Sequence, residues 1–262
     1  MDLNDIKRLS GERKIPVGII EKDYVLSLTL TLLSNSETIK NHIVFKGGTA
    51  IKKMYFPDAR FSVDLDFDFD DIVIKKIKKE LAELIALDQF DMVKFVRIKD
   101  EFESKKEDVY RCMIEYEGPI KHNQNQSVRL DFSGRASHLC KVEEKKILEE
   151  YVSETADVKI RTMDLTEVFA EKCRALITRK GQKSKDLFDI YFLINKGVVI
   201  DRRLIDKKFT GYKERFDIDY FTRAINDISG VWKRDIQDLL PRGEVAGINN
   251  VISLVRKKLF FK

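Results

Sequence analysis

The sequence predicts an α+β protein in which a mixed β-sheet flanked by helices is followed by a mostly helical lobe. Strand-like segments fall mainly between residues 43 and 132, whereas apolar residues recur at helical spacing after about residue 160. A chain of 262 residues is long enough for two modest domains. We therefore expect one domain over residues 1–155 and a second over residues 156–262.

The individual elements follow from the spacing of apolar residues. Residues 17–34 are predicted as a helix, and the apolar run 43–45 as a strand that ends at the turn Gly47–Gly48. Residues 62–69 alternate polar and apolar side chains, which is typical of a strand with two different faces. Further helices are predicted at residues 49–56, 72–87, 166–179 and 184–195, and further strands at residues 92–99, 109–116 and 127–132.

Charge is distributed unevenly along the chain. Residues 1–190 contain 34 lysines and arginines against 35 aspartates and glutamates, whereas residues 191–262 contain 15 against 9. This positive excess suits contact with a polyanion such as RNA, although a solvated lysine-rich surface explains it equally well. No apolar run approaches the roughly 18 residues of a membrane helix. The three separated cysteines favour reduced thiols in a cytoplasmic protein, without a zinc site or a disulfide framework.

The predicted strand at residues 62–69 contains the first candidate for chemistry. Asp64 and Asp66 are two residues apart, so both side chains point to the same face of a strand. Adjacent carboxylates repel each other unless a cation lies between them, and Mg²⁺ or Mn²⁺ prefers such oxygen ligands. A solvated polar strand face has the same pattern. Asp68 and Asp70 extend the acidic run, but we expect them to lie beyond its useful end.

The turn before this strand is the second candidate. Gly47 and Gly48 join an apolar strand to a helix, and glycine lets the backbone approach a phosphate closely. Lys46 and the hydroxyl group of Thr49 can add contacts to such a phosphate. A turn that has glycines only for steric reasons is the simpler alternative.

The two candidates become more informative together. Asp64 follows Gly48 by 16 residues, which places a phosphate-binding turn and a carboxylate pair on neighbouring strands. The predicted strand at residues 127–132 adds Asp131. Three carboxylates on adjacent strands can hold one or two metal ions, which activate an attacking hydroxyl group and neutralise a departing pyrophosphate.

Two segments, Lys46-Gly47-Gly48-Thr49 and Arg60-Phe61-Ser62-Val63-Asp64-Leu65-Asp66-Phe67, resemble the active-site signature of the nucleotidyltransferase superfamily, although the wider superfamily often has Gly-Ser at the turn. The chain more closely resembles the AbiEii/AbiGii-type (MenT-like) toxin family over about residues 15–195. Three further motifs support this resemblance: Glu21-Lys22-Asp23-Tyr24, residues 171–176 and residues 179–191. It implies a nucleotidyltransferase-like core, a nucleoside triphosphate (NTP) as substrate, a divalent metal ion and a cognate antitoxin.

The helical motifs agree with this resemblance. Lys172 lies on the same helical stripe as Leu165, Phe169 and Leu176, where an apolar residue is expected. An inward-facing lysine needs a counter-charge, and substrate phosphate is one candidate; extension of the side chain to solvent is the alternative.

A pair of aspartates on the next helix is the last candidate. Asp186 and Asp189 share a helical face, which is either an exposed acidic face or part of the site. The resemblance implies that Lys172 contacts nucleotide phosphates and that Asp186 or Asp189 completes the site. It also implies that Ser62 contacts phosphate or is modified.

We therefore predict a metal-dependent nucleotidyltransferase toxin that transfers a nucleoside monophosphate from an NTP to RNA. The family implies the 3′ end of tRNA as acceptor, whose modification would block translation and growth. Two alternatives stay open: an enzyme acting on a small acceptor such as an aminoglycoside, and a non-catalytic nucleotide-binding module. The predicted catalytic residues are Asp64, Asp66, Lys172 and Asp186; the nucleotide-binding residues are Lys46, Gly47, Gly48, Thr49, Ser62 and Asp189; the metal ligands are Asp64, Asp66 and Asp131.

The basic C-terminal lobe is the predicted place for contacts with the tRNA backbone, and no membrane contact is expected. The candidate basic residues are Lys207, Lys208, Arg215, Arg223, Lys233, Arg234, Arg256, Lys257 and Lys258.

Overall fold

The protein divides into two compact units, Met1–Met163 and Asp164–Lys262. The structure is a computed structural model that describes residues 1–70, 72–87, 90–134, 138–148, 151, 155, 157–181, 183–211, 216, 218–226, 228–241 and 245–260. The first unit contains a seven-stranded mixed sheet, and the elements described in the second unit are helices. These observations confirm the predicted α+β class. The domain division at residues 155 and 156 stays a prediction.

The first unit begins with helices α1 (Leu3–Arg13), α2 (Val17–Ser34) and α3 (Glu37–His42). Strand β1 (Ile43–Lys46) leads into α4 (Gly47–Ala50) and a π-helical turn, Ile51–Tyr55. The remaining elements are β2 (Asp64–Phe69), α5 (Ile74–Leu87), β3 (Lys94–Ser104), β4 (Val109–Glu117), β5 (Gln126–Ser133), β6 (Glu143–Lys146) and β7 (Lys159–Thr162).

The sheet has the strand order β3-β4-β5-β2-β1-β7-β6, so β2 lies at its centre. β2 pairs in antiparallel fashion with β1 and in parallel with β5. Its alternating pattern buries Phe67, whose ring centroid lies 5.3 Å from that of Phe45 and 5.2 Å from that of Phe132. Helix α2 is buried along most of its length, which explains why its apolar residues form no one-sided stripe.

Two strands of this sheet were not predicted. β6 and β7 are only four residues long, and the charged residues Lys159 and Arg161 interrupt any apolar run in β7. β7 nevertheless pairs with β1 through Phe45 and Thr162 and so extends the sheet beyond residue 155. Strands of this length are too short for the period-two pattern to separate them from loops.

The second unit consists of α6 (Leu165–Thr178), α7 (Lys183–Asn195), α8 (Arg202–Gly211), α9 (Ile218–Asn226), α10 (Trp232–Ile236) with a 3₁₀ turn at Gln237–Leu239, and α11 (Ile248–Phe260), as far as it is described. Asp164 caps α6, because its side chain accepts a 2.8 Å hydrogen bond from the backbone N–H of Thr166. None of the helices within the described ranges is both long and apolar enough to cross a membrane.

The reactivity of the cysteines provides a first test of this packing. Cys112 in β4 and Cys173 in α6 are buried, whereas Cys140 is partly exposed. Burial raises the pKa of the Cys112 thiol to about 12, and burial also raises the pKa of Cys173. Because only the thiolate reacts, a disulfide reagent at pH 8 should modify Cys140 alone in the native protein and all three cysteines after denaturation. Mass spectrometry of the labelled peptides checks this, and rapid labelling of native Cys112 would contradict it.

Candidate active site

The strand register places the three predicted metal ligands on adjacent strands. Asp66 lies opposite Asp131 of β5, and Asp64 lies opposite Arg129. On the other side of β2, Asp66 lies opposite Lys46 of β1. Directly opposite residues point to the same face of a sheet, so this face combines carboxylates with cationic side chains.

Asp131 is held by two arginines. Arg129 Nη2 lies 2.8 Å from Asp131 Oδ2 and 3.3 Å from Asp64 Oδ2, and Arg111 Nε contacts Asp131 Oδ1. Among the described residues, no three His, Cys, Asp or Glu side chains are arranged to hold a metal ion. The role of Asp131 as a metal ligand therefore stays a prediction. Arg129 was not predicted, although its position two residues before Asp131 on the same strand face is a signal for it.

Asp66 differs from the other carboxylates of β2. It is partly buried, yet it forms no hydrogen bond or ion pair with any residue in the described part of the chain. By contrast, Asp68 is fully buried and lies 2.5 Å from Lys46 Nζ through its Oδ1 atom. Lys46, which was predicted to bind nucleotide, thus has a carboxylate partner in this structure.

The Gly-Gly turn lies directly against the carboxylate of Asp66. Gly47 has a positive φ of 82°, and a Cβ atom at this position would lie 2.4 Å from Asp66 Oδ2. A Cβ atom on Gly48 would lie 2.8 Å from Arg60 Nη2 and 3.4 Å from Ser62 Oγ. Gly47 therefore has a steric role, whereas at Gly48 the nearest atom belongs to the end of a long side chain that can shift. Contact of either glycine with phosphate stays a prediction.

Thr49 connects this turn to β2. Its side chain is buried, and its hydroxyl group donates a 2.5 Å hydrogen bond to the backbone oxygen of Asp64. This bond fixes the start of the strand that presents Asp64 and Asp66. Thr49 thus positions the carboxylate pair, whereas its predicted contact with nucleotide is untested.

Substituting Gly47 by alanine should test the close contact with Asp66. The positive φ and the approach to Asp66 Oδ2 should together lower the free energy of unfolding by about 1–3 kcal/mol. Gly18→Ala in helix α2 is the matched control, because a Cβ atom on Gly18 would have no other atom within 4 Å. Chemical denaturation measures both variants. Equal stabilities of the two would argue against the contact.

The motif at residues 21–24 supplies a cation near Asp64. Burial lowers the pKa of Lys22 below its usual range, although the carboxylates of Asp64 and Glu21 raise it. Glu21 is buried and accepts hydrogen bonds from the backbone N–H of Ile120, at 2.7 Å, and from His122 Nε2, at 3.3 Å. Lys22 was not among the predicted site residues. Its place among charged residues at the start of an otherwise apolar helix could have indicated it.

The same motif anchors the π-helical turn. Lys53 Nζ lies 2.7 Å from Asp23 Oδ2, and both side chains are buried. The hydroxyl group of Tyr151 donates a 2.5 Å hydrogen bond to the same oxygen. This group is structural, because it ties α2 to the segment that follows the Gly-Gly turn.

In the second unit, Lys172 pairs with both predicted aspartates. Its Nζ atom lies 3.0 Å from Asp186 Oδ1 and 2.7 Å from Asp189 Oδ2. Arg179 Nη1 lies 3.6 Å from Asp186 Oδ2. Lys172 is 7% exposed, and both aspartates are buried, so neither an exposed acidic face nor a lysine extended to solvent describes this cluster. The counter-charge of Lys172 in this structure is the aspartate pair.

One of the predicted RNA-contacting residues is excluded by its environment. Lys208 is 2% exposed, and its Nζ atom lies 2.6 Å from Glu167 Oε1 and 3.0 Å from Glu171 Oε1. Its pKa is raised: burial lowers it, but the two glutamates outweigh that effect. Its assignment to the RNA-binding surface was therefore wrong. Arg215, another member of that set, lies outside the described residues.

Comparison with known proteins adds the family context. The family model for the nucleotidyl transferase AbiEii toxin of type IV toxin–antitoxin systems matches residues 31–246. The nucleotidyltransferase toxin MenT4 of Mycobacterium tuberculosis is 17% identical with a TM-score of 0.67, covering 100% of this chain and 89% of that one. An antigenic nucleotidyltransferase-like protein of Paracoccidioides brasiliensis is 14% identical with a TM-score of 0.46, covering 92% and 97% of the two chains. No curated protein sequence matches the chain.

Proposed function

Because the chain belongs to the AbiEii family of nucleotidyltransferase toxins, we propose that it transfers a nucleoside monophosphate from an NTP to the 3′ end of tRNA. Transfer to that end would prevent aminoacylation, and the block in translation would stop growth. A cognate antitoxin is part of this proposal, because the family is described within type IV toxin–antitoxin systems. We place the reaction in the cytoplasm, where NTPs and tRNA occur together.

The observation that best supports this chemistry is the lack of a described ion-pair partner for the carboxylate of Asp66. Its carboxylate has no cationic partner among the described residues, although Asp64, Asp68 and Asp131 each have one. A partly buried carboxylate without a partner suits ligation of a divalent cation. Asp64 and Asp66 fit such an ion, because both lie on one strand face and offer hard oxygen donors. Bound there, Mg²⁺ or Mn²⁺ would neutralise charge on the NTP phosphates.

The other residues of the first unit position this pair. Thr49 and the Gly-Gly turn hold the start of β2, and Arg129 orients Asp64. We propose that Asp131, with its two arginine partners, mainly fixes Arg129 in place. The proposed contacts with the nucleotide still include those of Lys46, Gly47, Gly48 and Ser62.

The residues of the second unit have proposed roles that follow from the family resemblance. Lys172 would bind nucleotide phosphate, and Asp186 and Asp189 would hold its ammonium group in the required orientation. A buried lysine with two carboxylates is a fixed charge whose cost of desolvation is already offset within the protein. Such a charge needs little reorganisation to stabilise an anionic substrate.

The test is transfer of label. Purified protein is incubated with total tRNA, Mg²⁺ and each α-³²P-labelled NTP in turn, and the RNA is separated by electrophoresis. We expect label in tRNA with at least one NTP, and no label when EDTA removes the metal ion. Label on an aminoglycoside but on no RNA would replace the proposed acceptor by a small molecule. No label on any acceptor would contradict transferase activity.

A further inference from the structure

Strands β5, β4 and β3 extend the sheet face that contains Asp64 and Asp66. In one row across these strands, Asp131 of β5 lies opposite Arg111 of β4, which lies opposite Phe102 of β3. Directly opposite residues point to the same side of a sheet, and Asp131 is itself opposite Asp66. The ring of Phe102 is therefore on the same face as the proposed metal-binding pair.

Two irregularities in β3 turn side chains onto this face. Between Phe95 and Arg97, β3 has one residue more than the paired part of β4, and the same holds between Lys99 and Phe102. In a regular strand, residues 99 and 102 would point to opposite faces, because side chains alternate. The extra residue puts both on one face, which is how a bulge re-aims a side chain. Arg97, Lys99 and Phe102 lie opposite alternate residues of β4, so all three share one face.

Cations on this face outnumber the carboxylates that they contact. Arg97 Nε lies 2.6 Å from Glu115 Oε2, and Lys99 Nζ lies 2.6 Å from Glu115 Oε1. Asp131 is likewise shared by two arginines, so among the described residues two carboxylates serve four cations. The side chains of these cations are between 30% and 68% exposed. The pair of cations around each carboxylate exceeds its charge by one, which suits an anionic partner.

The ring of Phe102 is 51% exposed because its neighbours in β3 face the other side of the sheet. The hydroxyl group of Tyr110 donates a 2.5 Å hydrogen bond to Glu101 Oε1. Lys78 of α5 lies 3.3 Å from Glu103 Oε2 through its Nζ atom. Since residues 101 and 103 both face α5 and the buried side of β4, residue 102 between them must point to the open face.

The exposed side chains that share this face form the β3–β5 surface, which consists of Arg97, Lys99, Phe102, Arg111 and Arg129. We infer that the β3–β5 surface binds a single-stranded segment of the RNA acceptor, with Phe102 stacked on an unpaired base and the cations on the phosphates. This inference rests on the proposed function and identifies where the acceptor is held. Stacking on aromatic rings within a positively charged groove is the way proteins bind single-stranded nucleic acid.

The position of the β3–β5 surface favours the acceptor over other partners. Arg129 lies at one end of it, where its Nη2 atom is 3.3 Å from Asp64 Oδ2. The acceptor hydroxyl group has to reach the proposed metal ion beside Asp64, so a strand that lies along the surface delivers its end to the site. Arg111 and Glu115 are four residues apart in β4, or roughly 13 Å along the strand. The two groups of cations are thus too far apart for one phosphate, and a polyanion is needed to contact both.

Binding can be measured apart from catalysis. Fluorescence anisotropy with a fluorescein-labelled, unstructured RNA 12-mer and with labelled tRNA is recorded on the full chain, with EDTA and without NTP. Phe102→Ala should weaken RNA binding roughly tenfold, the usual loss when a stacking ring is removed. Phe102→Tyr keeps a ring and should bind within about twofold of the wild type, whereas Phe102→Leu keeps only apolar bulk and should resemble Phe102→Ala.

Charge variants test the phosphate contacts with effects of opposite sign. Arg97→Gln and Lys99→Gln should each lower the magnitude of the slope of log Kd against log salt by about one. Glu115→Gln should instead tighten RNA binding by roughly threefold, because it removes a negative charge beside the phosphates. Lys79→Gln is the matched control, since this lysine is 73% exposed on α5 and pairs with Glu83, and it should change neither affinity nor slope. Thermal melting of every variant checks that each is folded.

Three outcomes distinguish the possibilities. Unchanged RNA affinity of folded Phe102→Ala would overturn the inference, whether or not the enzyme labels tRNA. Wild-type affinity of Phe102→Leu would also overturn it, because a contact that any apolar side chain satisfies fits a protein partner and not a stacked base. RNA binding that depends on the ring of Phe102, in a protein that transfers label to no RNA, would support the surface while contradicting the proposed function.

Discussion

Substituting Asp66 by asparagine is expected to lower the rate of nucleotidyl transfer by roughly three orders of magnitude, the loss expected when one strong electrostatic contact to a transition state is removed. Asparagine has the same shape but cannot supply a negative charge to a divalent cation. The same substitution should leave stability unchanged or slightly raised. Asp66 has no ion pair to lose among the described residues, and its repulsion with the adjacent Asp64 disappears.

The opposite signs of these effects make the result informative. Asp70→Asn is the matched control, since Asp70 follows the same strand but pairs with Arg161 Nη2 at 3.0 Å; we expect it to retain most of the activity. Asp68→Asn should instead lower stability, because the partly buried ammonium group of Lys46 would lose its 2.5 Å contact with a fully buried carboxylate. Transfer rates and urea denaturation of the three variants provide the measurement. A stability loss in Asp66→Asn comparable to that of Asp68→Asn would show that Asp66 has a structural partner after all.

The contrast between Asp66 and Asp68 also shows what the sequence could predict. Alternation along residues 62–69 predicts which carboxylates share a face, because the period of a strand is fixed by its geometry. The sequence does not reveal that Asp68 is buried against Lys46, because that contact depends on the register between β1 and β2. Asp68 was therefore predicted to lie beyond the part of the strand that forms the site, although it is fully buried on the same face as Asp64 and Asp66.

The ion-pair partners of Arg129 and Lys172 also depend on contacts between elements that are distant in sequence. Arg129 contacts Asp131 of its own strand, but it meets Asp64 only because β5 pairs in parallel with β2 at that register. In the second unit, helical spacing correctly predicts that Lys172 faces inward, but the spacing within α6 cannot show that α7 supplies its counter-charges. The spacing of residues along a helix or strand predicts which way a side chain points. Which residue it contacts depends on how elements distant in sequence pack together.

Lys172→Met is expected to lower the stability of the second unit by about 3–5 kcal/mol, the usual consequence of removing one partner from a buried ion pair. Methionine preserves most of the volume of the side chain, so the loss reflects charge. Asp186 and Asp189 would stay buried after the loss of Lys172 Nζ, although Arg179 Nη1 would remain 3.6 Å from Asp186 Oδ2. Urea denaturation followed by the fluorescence of Trp232, the single tryptophan, measures the effect within this unit.

The triple variant Lys172→Met, Asp186→Asn, Asp189→Asn separates a structural role of Lys172 from a role in binding nucleotide. Removing all three charges leaves neither buried aspartate charged without Lys172, so the triple variant should be more stable than Lys172→Met alone. If Lys172 also binds nucleotide phosphate, the triple variant should remain inactive despite this recovery, with its loss expressed in kcat/KM for the NTP. Recovery of transfer together with stability would instead contradict the phosphate-binding role and show that the cluster serves only to hold α6 against α7.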